Sequence, residues 1–361
     1  MEPEKKFNKV IVLGADYHGE WAKDVCIAFK DIGMDAELIY TNTVFGAMGS
    51  TRMAAKTLLE KVKQFFRLHA RFIFDLVKEI RRRMSERALV EKIASFQKPG
   101  EKILILFIWT PPSASLLAAL KKNSAITLIL WQGEAPARNA IWGPSFPFFD
   151  HIFSVDEDWL HLFDEALWGR ITYLPLSSSP ANHFPLPKEK QDPQFASEVA
   201  FVGYYRSERA EKLAVLKEYD LRIYGFWWES GMSRFPWLKE KYFGPASNED
   251  ANKVFNGGKI QIGRLSATPI AHGDTVTQRV FDISLAGSFQ LSEYSPAIEK
   301  IFGQSVVMFN TTEELKKLVA YYLAHPEERE RLAARAHAIA LKDHTYASRI
   351  KAIMEVVMKL Q

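Results

Sequence analysis

The chain is predicted to be an α/β protein built from two Rossmann-like, doubly wound units. Three observations predict this. Short β-branched apolar runs alternate with helical stretches, and the alternation occurs twice along the 361 residues. Several of these runs end on glycine, as Lys9 to Gly14 and Leu221 to Gly225 do. Between the two series, residues 175–198 carry five prolines, which fix φ and cannot donate to a ladder. The expected division is 1–180, a linker at 181–198, and 199–361.

In the first series, KVIVLG (Lys9 to Gly14) has the continuous apolar character of a buried parallel strand. A helix is expected from Ala22 to Ile32, stopped by Gly33, then a strand from Glu37 to Tyr40. Leu58, Val62, Phe65, Phe72, Ile73, Leu76, Val77 and Ile80 recur at helical spacing, predicting one or two amphipathic helices. Strands resume at Ile103 to Trp109, Thr127 to Trp131 and His151 to Ser154. In the second series, strands are expected at Glu198 to Val202, Leu221 to Tyr224, Lys259 to Gly263, Ser288 to Ser292 and Ser305 to Phe309. Helices are expected from about Arg206 to Tyr219, Asn248 to Phe255 and Thr275 to Ala286, and the chain is helical after Thr312. Two such units imply a cleft between them, with ligands at the carboxyl ends of the strands.

Composition excludes several classes. With 47 % apolar and 25 % charged residues, the chain is globular rather than disordered. Its one cysteine, Cys26, excludes a disulfide framework and a cysteine-rich zinc site. No stretch approaches the roughly 18 apolar residues of a membrane span, and the N-terminus lacks a signal-peptide pattern; the expected location is cytoplasmic. A net charge of +4 gives no strong nucleic-acid signal. It is unevenly spread: Lys56 to Lys98 holds twelve basic and five acidic residues, net +7, which leaves about −3 for the rest. That segment is either a solvated helix face or a peripheral contact with an anionic surface.

Four blocks of the second half are similar to the CgeB-type spore maturation proteins and the wider group-1 glycosyltransferases. They are VAFVGYYRSERAEKL, LRIYGFWW, TQRVFDISLAGSFQLSEYSPAIEKIFG and YYLAHPEERERLAARAHAIALKDHTYASR, spanning Val199 to Arg349 in family order. The first half matches more loosely, through Trp131 to Pro136, HIFSVDED and YLPL. The resemblance implies a GT-B fold, two Rossmann-like domains facing a cleft. It also implies a nucleotide-diphosphate sugar as donor substrate in the second domain, an acceptor in the first, and no bound metal or other cofactor. A metal-binding D-x-D, which many other glycosyltransferases carry, is therefore not expected.

A fold without a metal must neutralise the departing diphosphate with helix N-termini and basic side chains. The segment HGDTVTQRVFDISLAG has the residues for this. Gly273 permits close approach, Thr275, Val276 and Thr277 would present amides, and Gln278 and Arg279 add donors. The resemblance aligns Asp274 and Asp282 with the paired glutamates of retaining GT-B enzymes, Asp282 binding ribose; the bland alternatives are an N-cap at Asp274 and a solvated Asp282. Gly203, Arg206 and Arg209 form a strand-end glycine with basic residues at the next helix, facing the diphosphate unless the arginines pair with Glu208 and Glu211. His272 precedes the phosphate loop, and the aromatic run Phe226, Trp227, Trp228 serves either base stacking or core packing. In the first unit, His18 is the candidate general base with Asp16 orienting it or acting itself, and Glu134 is a third candidate. The acceptor is a protein, a glycan or a lipid-linked group. The rival readings are a nucleotide-sugar epimerase of the same fold and a non-catalytic nucleotide- or sugar-binding protein.

Overall fold

The computed structural model describes residues 6–15, 20–41, 71–109, 111–136, 140–265 and 274–360. They form two units. Unit 1 comprises Met1–Ser154, Leu160–Thr172 and Met354–Gln361; unit 2 comprises Val155–Trp159 and Tyr173–Ile353.

Unit 1 is built on strands β1 (Lys9–Gly14), β2 (Ala36–Tyr40), β3 (Ile103–Trp109), β4 (Ile126–Gln132), β5 (His151–Ser154) and β6 (Ile171–Tyr173), in the order β2-β1-β3-β4-β5-β6. The pairs among β1 to β5 are parallel. Val10 to Leu13 and Ile103 to Phe107 are buried, which is why these strands read as unbroken apolar runs. Helices α1 (Trp21–Asp31), α2 (Arg71–Ser95) and α3 (Ala114–Lys121) complete the crossovers. Gly14 is required where α1 crosses β1, because a Cβ there would lie 2.6 Å from that of Ala22.

Unit 2 repeats the scheme with β7 (Ser197–Val202), β8 (Leu221–Tyr224), β9 (Gly258–Gly263), β10 (Gln290–Glu293) and β11 (Val307–Phe309), ordered β11-β10-β9-β7-β8. The pairs with recorded registers are parallel. Its helices are α4 (Ser207–Leu213), α5 (Leu238–Lys241), α6 (Asn248–Gly257), α7 (Gln278–Leu285), α8 (Pro296–Phe302), α9 (Thr312–Ala324), α10 (Pro326–Asp343) and α11 (Tyr346–Val357), the last continuing into unit 1. Counted from its own first strand, each sheet has the same order, and in each it reverses between the first and third strands. That reversal opens a crevice at the carboxyl edge, at β1 and β3 in unit 1 and at β7 and β9 in unit 2.

Three expectations change. The proline-rich stretch 181–198 is not a free linker: it belongs to unit 2, with Phe195 buried and the amides of Phe184 and Leu186 donating to Asn252 and Asn256. The last residues, Met354–Gln361, belong to unit 1 rather than to the second domain. The helix expected from Thr275 begins at Gln278, with Thr277 in extended N-cap geometry. Part of the expected amphipathic segment is α2; residues 42–70 lie outside the described residues.

The tightest backbone approach is in unit 2. Gly225 has φ +129°, and a Cβ on it would stand 2.1 Å from the carbonyl oxygen of Gly203. Gly225→Ala combines overpacking with a forbidden backbone conformation, so it should cost about 3 kcal/mol or more. Urea unfolding checks this; an unchanged midpoint would refute the close approach.

Candidate functional site

The residues that follow β7, β8 and β9 converge at the switch point of unit 2. Gly203 ends the turn after β7: its amide donates to Tyr224 O (2.8 Å), and its carbonyl accepts the Trp228 indole N–H (2.7 Å). Trp228 is fully buried and Trp227 is 56 % exposed, so the aromatic run divides between core and surface. Trp227 holds a left-handed φ of 71° and stacks on Tyr204 at 5.0 Å, with Phe226 at 5.9 Å from the same ring. Three exposed aromatic rings therefore stand beside the strand-end glycine, and a non-glycine residue at positive φ marks stored strain.

Arginines gather on the other side of Gly203. A Cβ there would meet the Arg279 guanidinium at 2.7 Å, so the glycine makes room for it. Arg279, from the first turn of α7, lies over the Phe201 ring at 5.2 Å, and Arg209 over the same ring at 5.7 Å. Arg209 donates from Nε to Leu265 O (3.0 Å) and from Nη1 to Tyr204 O (2.7 Å). Burial, with the like charges of Arg279 and Arg206, pushes Arg209 down to about 9. Burial also lowers Arg279, opposed by Asp282. Among the described residues none of the three forms a salt bridge, and the alternative pairing of Arg206 and Arg209 with Glu208 and Glu211 is not made: Glu208 pairs with Lys212, and Glu211 with Arg234. Arg206 is exposed and Arg209 buried.

Asp282 lies one helical turn after Arg279, its side chain 14 % exposed, with His183 Nε2 3.6 Å from Oδ1. Burial raises its pKa, opposed by His183, Ser178, Arg279 and Gln278. His183 is itself buried, and among the described residues its Nδ1 and the buried hydroxyls of Ser177 and Thr277 have no hydrogen-bond partner.

Asp274 has a different role from the one expected. Its carboxylate accepts from Arg264 Nη1, from Ser295 Oγ (2.8 Å) and from the Ala297 amide (2.8 Å) at the start of α8. It is not the N-cap of α7, which is Thr277. Instead it locks the chain after β9 onto α8. Thr275 is also occupied, its hydroxyl donating to Asp156 Oδ2 (2.7 Å). Asp16, His18, His272 and Gly273 lie outside the described residues. Glu134 follows β4 in unit 1, partly buried, its carbonyl accepting from Gln132 Nε2 (2.6 Å).

Asp156, Glu157 and Asp158 spell a D-x-D, contrary to the expectation that none occurs. Asp156 is buried and accepts from Thr275 and the Asp158 amide (2.9 Å), and Glu157 pairs with Lys300. Sequence reasoning also misses His183, Ser178 and Tyr204. Tyr204 directly follows the strand-end glycine, a usable signal; His183 sits in a proline-rich stretch that carries none.

Residues 206–355 match a family described as glycosyl transferase-like. The spore protein CgeB of Bacillus subtilis (strain 168) is 24 % identical over 227 residues, covering 59 % of this chain and 69 % of that protein. The sucrose-phosphate synthase of Thermosynechococcus elongatus superposes with TM-score 0.66 at 9 % identity, over 98 % of this chain and 99 % of that one. Anabaena Alr3699/HepE in complex with UDP-glucose does so with TM-score 0.64 at 10 % identity, over 98 % and 100 %. The similarity to CgeB-type proteins and the GT-B fold thus stand together on this chain.

Burial works to raise the Asp274 pKa, but the Ala297 amide, Arg264 and Ser295 outweigh it, and the net shift is downward. A depressed carboxylate stabilises the fold above its unfolded value, near 4, and that contribution is lost as pH falls through the folded value. Asp274→Asn should therefore cost about 3–5 kcal/mol at neutral pH, as for a broken buried ion pair. The gap to wild type should close below about pH 4. Denaturant unfolding at both pH values checks the sign.

Proposed function

We propose that this CgeB-type, GT-B chain is a glycosyltransferase that takes its sugar from a nucleoside-diphosphate donor bound at the carboxyl edge of the unit 2 sheet. The observation that carries the proposal is the set of arginines around Gly203 that, among the described residues, form no salt bridge. Buried cations are normally paired, and a diphosphate supplies the missing charge in a form that guanidinium groups bind bidentately. In this reading Arg209, Arg279 and the first amides of α7 hold the diphosphate and stabilise it as it leaves. Asp282, kept beside His183, takes the ribose hydroxyls, and Tyr204 and Trp227 offer ring faces to the base. The similar Anabaena protein was crystallised with UDP-glucose, which makes UDP the first probe.

The acceptor site is assigned to unit 1, where Glu134 follows β4, and Asp16 and His18 the end of β1. The reaction runs without a metal ion, the arginines taking the charge a cation would otherwise meet. The protein works in the cytoplasm, and the basic stretch of unit 1 brings it against an anionic surface.

Arg279 and Asp282 lie three apart on one helix, so one nucleotide reaches both. A hydrogen bond to a charged group is worth about 1.5–3 kcal/mol, or roughly ten- to a hundredfold in affinity. Arg279→Ala should weaken UDP by that factor and leave uridine nearly unchanged, whereas Asp282→Asn should weaken both. Calorimetric titration of each variant with each ligand decides it. Equal loss of UDP and uridine in Arg279→Ala would mean that the arginine does not meet the diphosphate.

Hydrolysis of UDP-glucose should persist in excess chelator. Complete loss, restored by manganese, would transfer the role to Asp156–Glu157–Asp158 and remove the metal-free account. Conversion of UDP-glucose to its epimer with no transfer would instead favour the epimerase reading.

A further inference from the structure

Helix α2 carries a second surface that donor chemistry does not use. Its inner side is fixed to unit 1. Leu89 and Ile93 are buried in the core, and Glu86 accepts from the Ser113 and Ser115 hydroxyls at the start of α3. Arg82 joins this clamp, forked onto Glu79 and bonded to Glu86 and Ser115. Arg82 is thus neutralised within the protein and is not available to a partner.

The opposite side is different. Ile80 and Met84, one turn apart, are 49 % and 65 % exposed. Ile80 stands nine residues before Leu89, which at 3.6 residues per turn puts the two on opposite faces. The exposed apolar pair is flanked by the exposed guanidinium groups of Arg81, Arg83 and Arg87. Arg83 shares Glu79 with Arg82, but among the described residues Arg81 and Arg87 have no acidic partner. A groove of about 410 Å³ between α2 and α3 runs beside them, lined by Arg83, Arg87 and Ser115 among others. In sequence the segment Lys56 to Lys98 holds net +7 while the rest of the chain is near −3, so the positive charge is concentrated in one stretch of the sequence.

We propose that this face of α2 docks on an anionic lipid bilayer, the arginines meeting headgroup phosphates while Ile80 and Met84 enter the boundary with the acyl chains. A bilayer is then the partner in the anionic-surface contact of unit 1. Charge alone would serve a nucleic acid or an acidic protein equally well. The two large apolar side chains at the middle of the basic face decide for the bilayer: they gain nothing against a phosphodiester backbone, and they are what an interfacial helix inserts.

The test is co-sedimentation of the full chain with vesicles of equimolar phosphatidylglycerol and phosphatidylcholine, with pure phosphatidylcholine as control. Binding is expected only to the anionic vesicles, and it should weaken with salt. Arg81→Gln with Arg87→Gln should lower the partition coefficient about tenfold or more. Ile80→Ser with Met84→Ser should reduce the part of binding that survives high salt. These side chains are exposed, so unchanged melting temperatures should accompany both double variants. Absence of sedimentation at low salt, or sedimentation untouched by either double variant, overturns the proposal. So does competition by duplex DNA that needs the arginines and ignores Ile80 and Met84. UDP titration of the same variants should be unaltered, which keeps this test separate from that of the donor site.

Discussion

The carbonyl of Gly203 accepts the indole proton of the buried Trp228, and the carboxyl edge of the unit 2 sheet is arranged around that contact. It pins the turn after β7 to the turn after β8. Gly225 must then be a glycine, because no side chain fits against Gly203, and Gly203 must be one because Arg279 occupies the space its side chain would take. With the two glycines in contact, Tyr204 is set beside Trp227 and Arg279 is set over Phe201. A rigid backbone contact thus aims the side chains on either side of it.

Unit 2 buries several arginines and satisfies them in different ways. Arg264 is neutralised by Asp274. Arg349 spends its donors on the carbonyls of Pro175, Leu176 and Asp343. Arg209 meets two carbonyls, and Arg279 meets the fields of Asp282 and Tyr204 and the face of Phe201. Among the described residues only Arg264 of these four meets a carboxylate, and only Arg209 and Arg279 share a ring, both lying over Phe201 beside Gly203.

Much of this is legible in the sequence. Runs such as Ile103 to Trp109 are strands over those same residues, because burial on both faces leaves no room for a polar interruption. Gly203, Arg209, Arg279 and Asp282 are legible as neighbours because a parallel α/β unit brings strand ends and following helices to one edge. The role of Asp274 is not, because its partners Arg264 and Ser295 lie ten and twenty-one residues away, joined only by the fold. Sequence places the start of α7 too early because Asp274 and Thr277 are both good caps by residue type; Arg264, Ser295 and the Ala297 amide hold Asp274 elsewhere, and Thr277 is the N-cap. His183 meets Asp282 across ninety-nine residues, a pairing no local pattern encodes.

Residues Met354–Gln361 belong to unit 1, where Lys6 donates to the carbonyls of Val357 and Met358 and so places a cation at the end of α11. The first strand of that unit precedes unit 2 in the chain, yet the unit is completed by residues that follow unit 2. Domains that fold during synthesis normally do so in order from the N-terminus. Here the earlier unit cannot be finished until the later one has been translated in full. Its slowest contacts are the most distant in sequence, and a nascent chain must hold the apolar surface of unit 1 uncovered for the whole of that interval.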